Sequence, residues 1–181
     1  MRKEVWIDMS KEQVFTHNLV RTAVTSELYN LVNRLDLGLL LSDGVLFTNR
    51  EADLSGNPDL LFISYDSREQ ERVELIEGKF RGYTEIIGSP DMVLEVVSDS
   101  SEEKDVVVLF EDYFTAGIRE YWRVDARESP ISFEIFKRNS KGFVAARKQA
   151  GWLKSAVFGK AFRMVESKDR LGDPKYLLEV R

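Results

Sequence analysis

From about Lys11 to Leu35 the apolar residues Val20, Val24, Leu28, Leu31, Val32 and Leu35 recur at intervals of three and four, one face of an amphipathic helix. Ser10 with Gln13 has the spacing of a capping box for it. The period then changes. Leu39-Leu40-Leu41 and Val45-Leu46-Phe47 are short apolar runs parted by Asp43-Gly44, a hairpin signal. LLFIS and MVLEVVS are each opened by Pro-Asp, at Pro58-Asp59 and Pro90-Asp91. Proline at a strand's first residue sacrifices no ladder donor, and Asp favours the preceding turn. Ser100 with Glu103 forms a second capping box; Val106, Leu109, Phe110 and Tyr113 then follow at helical spacing. Ala116-Gly117 supplies a left-handed stop, so a helix is expected over Glu102 to Ala116. REYWRVD, Arg119 to Asp125, alternates as a strand, and SFEIFKR and GFVAARK read as a hairpin across Asn139 to Gly142.

One position interrupts the pattern. If Ser89 to Ser98 is extended, Asp91, Val93, Glu95 and Val97 face one way and Met92, Leu94 and Val96 the other. Both faces are largely apolar, which places the strand inside its sheet. An isolated ionised Glu95 there costs on the order of several kcal/mol or shifts its pKa, so it needs a basic side chain, a hydrogen-bond network or a bound cation. Asp91 is not a ready companion on one ion, because four residues of strand separate the two Cα atoms by ~13 Å. A neighbouring strand must supply the partner. With LLFIS antiparallel to MVLEVVS, Asp59 approaches Glu95. Two converging carboxylates with water in the remaining positions suit Mg²⁺, which activates water and stabilises charge developing on a phosphate.

Composition narrows the class. With 181 residues, 43% hydrophobic, 31% charged and four prolines, the chain is globular, and without repeat or linker it reads as a single domain over 1–181. Zero cysteines exclude disulfides, thiolate metal sites and a Cys nucleophile, and agree with a reducing compartment. No apolar run has signal-peptide or membrane-spanning length, so a cytoplasmic protein without membrane contact is expected. A net charge of -5 argues against coating nucleic acid by bulk electrostatics. The charge is divided, however: Ile131 to Arg181 holds 12 basic and 5 acidic residues, against 14 and 26 before it. A basic region could face phosphates while an acidic one holds a cation; simple solvation of the surface is the plainer reading.

PDLLFIS, SPDMVLEVVSDSS and DYFTAGIREYWRVD, in that order, resemble the Uma-two family of restriction-endonuclease-like proteins, within the PD-(D/E)XK nuclease superfamily. The resemblance runs from His17 to about Phe162, where WLKSAVFGKAFRM is similar to the family's last strands. It implies an α/β (α+β) restriction-endonuclease-like fold, a central mixed β-sheet flanked by the first helix and the Glu102 to Ala116 helix. The activity it implies is Mg²⁺-dependent hydrolysis of DNA, with Mn²⁺ as a substitute ion, and a homodimer is the assembly expected from such a fold. Asp59, Asp91 and Glu95 are the implied catalytic and metal residues, with Asp59 or Asp91 as the motif Asp and Glu95 as the acidic residue of its second half.

The motif lysine departs from the family. Two residues after Glu95 stands Val97, and the family's replacement position on the next helix, four after Asp105, holds Leu109. Lys104 lies five residues from that position and projects elsewhere on a helix, and Lys79 has no positional support. A rival reading follows: a catalytically inactive module for dimerisation or nucleic-acid binding. His17 reads as a surface or capping residue, with a place in the site as its alternative. Glu27 reads as solvent-exposed, with an auxiliary acid as the alternative. Tyr121 and Trp122 read as core.

Overall fold

The structure, a computed structural model, describes residues 12–98 and 107–181. The expected cap at Ser10, the capping box of Ser100 and Glu103, and Lys104 lie outside the described residues. The first helical segment opens as a π-helical turn over Val14–Leu19, in which the Asn18 N–H donates to the Gln13 carbonyl at 2.9 Å. It continues as α1 (Val20–Leu35). Val20, Val24, Leu28, Leu31 and Val32 are buried, as their spacing predicts. The extra residue in each π-type hydrogen-bonded ring changes the phase ahead of α1. His17, inside that turn, is only 8% exposed.

The strands are β1 (Gly38–Ser42), β2 (Leu46–Asn49), β3 (Leu54–Gly56), β4 (Leu60–Ser64), β5 (Val73–Glu77), β6 (Tyr83–Gly88) and β7 (Met92–Val96). They continue with β8 (Glu120–Asp125), β9 (Ser132–Arg138), β10 (Phe143–Ala145), β11 (Leu153–Lys154), β12 (Ala161–Lys168) and β13 (Pro174–Val180). Among the described residues two short helices, α2 (Tyr65–Glu69) and α3 (Leu109–Thr115), join them. A six-stranded mixed sheet in the order β1-β4-β7-β8-β9-β10 forms the centre. Within it β7 and β8 are parallel, and the other neighbours are antiparallel.

Alternation along β7 sorts the core into two layers. Met92, Leu94 and Val96 pack with α1, Trp122, Phe158, Phe162 and Leu178, beneath α1 and the β11-β12-β13 sheet. Val93 packs on the opposite face with Leu61, Ile63, Leu109, Tyr113, Tyr121 and Phe136, beneath α3 and a sheet in the order β3-β2-β6-β5. Tyr121 and Trp122 are fully buried, one in each layer, as core residues. Burying each such large apolar side chain contributes about 1.5–3 kcal/mol.

The hairpin expected across Asp43-Gly44 does not form. β1 pairs with β4, while β2 joins the other sheet beside β3 and β6. The connecting turn is tied elsewhere: the Asp43 carboxylate accepts from Arg21 and Asn57, and Asn57 Oδ1 accepts the Gly44 N–H at 2.9 Å. The apolar β1 gains in β4 a neighbour whose Leu60, Leu61, Phe62 and Ile63 are all buried. The Asn139 to Gly142 hairpin does form, with Phe143 opposite Arg138. Gly117, at φ 80°, occupies the left-handed position after α3 that only glycine adopts without strain.

Candidate functional site

β4 and β7 run antiparallel with Leu60 opposite Leu94 and Phe62 opposite Met92. One step further along this register sets Asp59 beside Glu95 at one end of the pair. Asp59 Oδ2 accepts the Val96 N–H at 2.8 Å, against the peptide that joins Glu95 to Val96. Two basic side chains reach the same carboxylate from the first helical segment. Arg21 Nη1 donates to Oδ1 at 3.2 Å and His17 Nε2 lies 3.3 Å from Oδ2. The two residues are four apart and so share a helix face. Arg21 also pairs with Glu12 at 2.8 Å and Asp43 at 3.2 Å.

The hydrogen bond to Asp59 holds the His17 imidazole above its ordinary pKa against the opposing effect of burial. Burial acts in the same opposing sense on Arg21, but the Asp59, Glu12 and Asp43 carboxylates outweigh it and raise its pKa. His17 Nδ1 is buried without a hydrogen-bond partner among the described residues; Glu12 Oε2 is 3.7 Å away.

Glu95 is 8% exposed, and its Oε1 accepts from Tyr113 Oη at 2.5 Å. Asp59 is thus held by side chains of the first helical segment and Glu95 by Tyr113 of α3. Beside Arg21 an open cleft of about 360 Å³ is lined by Thr22, Thr25, Ser26, Tyr29, Ser42 and Asp43.

Asp91 is placed apart from these two. It is fully buried, and it accepts from the Ser64 N–H at 2.7 Å, Ser67 Oγ at 2.9 Å and Arg119 Nη1 at 2.9 Å. Burial alone would raise its pKa, but the Ser64, Arg119 and Ser67 hydrogen bonds together lower it. Glu27, half-buried on α1, makes no side-chain hydrogen bond or ion pair among the described residues. Leu109, at the replacement lysine position, is 6% exposed and packs in the α3 layer. Sequence reasoning passed over Arg21, Tyr113 and, beside Asp91 and Glu95, a third buried carboxylate, Glu120. The spacing of His17 and Arg21 was the available signal for the first; nothing local marked the others.

Among the described residues no three His, Cys, Asp or Glu side chains form a cluster that holds a metal ion. A Mg²⁺ ion bound through one or two carboxylates with retained waters asks for less. Asp59 and Glu95 fit that donor chemistry in kind, since Asp59 has about four acceptor positions and three are engaged.

The family model named Uma2, described as "Putative restriction endonuclease", matches residues 2–156. No curated protein matches the chain. Among solved structures, a "putative nuclease" of the DUF820 group from Anabaena variabilis is similar at a TM-score of 0.61 and 14% identity, covering 86% of this chain and 78% of that one. At that identity the likeness concerns the fold: a mixed α/β arrangement shared with a nuclease-like neighbour. The order of the motifs, the antiparallel strands that carry their acids and the extent of the match agree, and the chain belongs to the Uma2 family of restriction-endonuclease-like proteins.

Proposed function

We propose that this protein hydrolyses DNA phosphodiester bonds with a divalent cation, Mg²⁺ or Mn²⁺, held by Asp59 and Glu95, and with water as the nucleophile. The observation that carries the reading is the register of β4 against β7, which brings Asp59 Oδ2 to the Glu95-Val96 peptide. When bound, the ion supplies Lewis-acid activation of water and of the phosphate. The chain's own residues do the rest. Asp59 and Glu95 are oriented by the Val96 N–H and by Tyr113. Arg21 and His17, next to Asp59, are the basic side chains that serve in place of the absent motif lysine and stabilise negative charge on a phosphate. The open cleft is lined by Arg21 and Asp43, and a strand lying in it would reach the site from the Arg21 side. Asp91, with three protein donors, acts in the fold and not in the chemistry.

A second reading is favoured by one feature: the lysine position holds Leu109, buried in the α3 layer. In that reading the chain binds nucleic acid or a second copy of itself without cleaving. Labelled single- and double-stranded DNA incubated with Mg²⁺ or Mn²⁺ separates the two. Cleavage by the wild type and its loss in Glu95→Gln is the expected result. Salt-sensitive binding without cleavage supports the second reading, and cleavage that survives Glu95→Gln removes the site assignment.

A further inference from the structure

The hairpin of β5 and β6 carries the most exposed large apolar side chain among the described residues. Its turn is closed by the Gly78 N–H donating to the Gly82 carbonyl at 2.7 Å, and Lys79, Phe80 and Arg81 stand at its tip. Phe80 is 95% exposed and Tyr83, at the start of β6, is 68% exposed. Neither Lys79 nor Arg81 has an ion-pair partner among the described residues. Arg81 is held at φ 60°, a conformation unfavourable for a long side chain and more readily taken by glycine or asparagine. Nothing in the packing asks for an aromatic ring between two cations there.

The topology gives the tip a location. β6 lies parallel to β2 with Glu85 opposite Leu46, so Tyr83 is level with Gly44 and the turn projects beyond it. That is the end of β2 where Asp43 binds Arg21, which in turn binds Asp59. The tip and the carboxylate site therefore share one end of the molecule.

We propose that the β5-β6 hairpin is a nucleic-acid finger: Phe80 stacks on a base, and Lys79 and Arg81 hold the phosphates on either side of it. Every base offers a flat π-face, and a strand brings anionic phosphates at the spacing of successive nucleotides, the chemistry that an aromatic ring between two cations accepts. An anionic bilayer fits less well, because a flat surface would also meet the exposed Glu77 beside the tip, whereas a strand can touch the tip alone. The finger's part in cleavage rests on the nuclease reading above; its binding of a strand does not.

The test uses the full chain carrying Glu95→Gln, with fluorescein-labelled single-stranded and duplex oligonucleotides in Mg²⁺ at several salt concentrations, beside phosphatidylserine vesicles. Phe80→Ala in that background is expected to weaken oligonucleotide binding roughly 5- to 150-fold, the size of one base-aromatic stack. Phe80→Trp should retain affinity and show indole quenching on binding. Lys79→Ala with Arg81→Ala should weaken binding and reduce the salt slope by about 1 to 2. Unchanged affinity in Phe80→Ala, or binding to vesicles and not to oligonucleotides, overturns the proposal. If the wild type cleaves DNA and Phe80→Ala cleaves equally well below saturation, the finger is lost and the site reading survives. If strands bind through Phe80 but are never cleaved, the finger stands and the hydrolase reading is lost.

Discussion

Asp59 and Asp91 begin as the same local device and end in different surroundings. Each follows a proline, each precedes a strand of the antiparallel pair β4-β7, and each accepts a backbone N–H from the far end of the other strand. Asp59 takes that of Val96 at 2.8 Å and Asp91 that of Ser64 at 2.7 Å. The pair is close to two-fold symmetric, so the repeated Pro-Asp has a structural role at both ends. The difference is what lies alongside. At the Asp91 end the register places apolar Ile63 opposite, and the remaining donors are Ser67 and Arg119. At the Asp59 end it places Glu95 opposite, and the donors are His17 and Arg21 beside an open cleft. A dipeptide that closes a strand end becomes a candidate reaction site only where a second acid and access for a substrate join it.

The largest expected contrast is in DNA cleavage. Asp59→Asn should reduce the rate at least about 100-fold, the scale of losing one preorganised charge contact, while Asp91→Asn, assayed on the folded fraction, should stay within a few-fold of wild type. Equal losses would erase the distinction between the two ends.

Stability should show the reverse order. Asp91→Ala strands the Ser64 N–H and the Ser67 hydroxyl in a buried place and should cost about 3 kcal/mol by urea denaturation. Asp59→Ala also strands a backbone N–H, that of Val96, but it leaves Arg21 with Glu12 and Asp43 and should cost less, about 2 kcal/mol. A smaller loss for Asp91→Ala than for Asp59→Ala would invert the comparison.

Glu120 extends the Asp91 pattern to another part of the fold. It is 1% exposed and accepts from Trp122 Nε1 at 3.0 Å, Ser155 Oγ at 2.6 Å and the Ala156 N–H at 2.5 Å. These bonds tie β8 to the segment that leads from β11 to β12. Glu120→Gln, which exchanges one acceptor oxygen for a donor, should lower stability by about 2 kcal/mol without changing cleavage by the folded protein. A selective loss of cleavage would move this residue from the fold into the chemistry.

The smallest effect is in pH. The folded Asp91 carboxyl titrates below its ordinary value near 3.8. Its contribution is therefore fully present above that value and is lost as pH falls from there toward the lower folded pKa. The stability gap between wild type and Asp91→Asn, followed by urea denaturation, should be constant from pH 7 to 5 and narrow below about pH 4. A gap that widens on acidification would mean that the carboxylate is not the favoured form in the fold.

The residues alone determined a good deal here. The three- and four-residue spacing of Val20 to Val32 reports burial on one helix face, and alternation in MVLEVVS sends Met92, Leu94 and Val96 to one layer and Val93 to the other. Both are local periodicities that any chain of these residues must obey. An acid inside that alternation, Glu95, signals a required partner because burial of an unpaired charge is costly. Tertiary structure decided what periodicity cannot carry. It sent β1 to β4 and β2 to a different sheet, since Asp43 is secured by Arg21 and Asn57 from distant parts of the chain. It also turned His17 inward by a π-helical turn, and it gave two identical Pro-Asp dipeptides different neighbours. Strand pairing is a choice among partners far apart along the chain, made by the packing of the whole core; a five-residue pattern contains the preference for a strand but not the identity of the strand beside it.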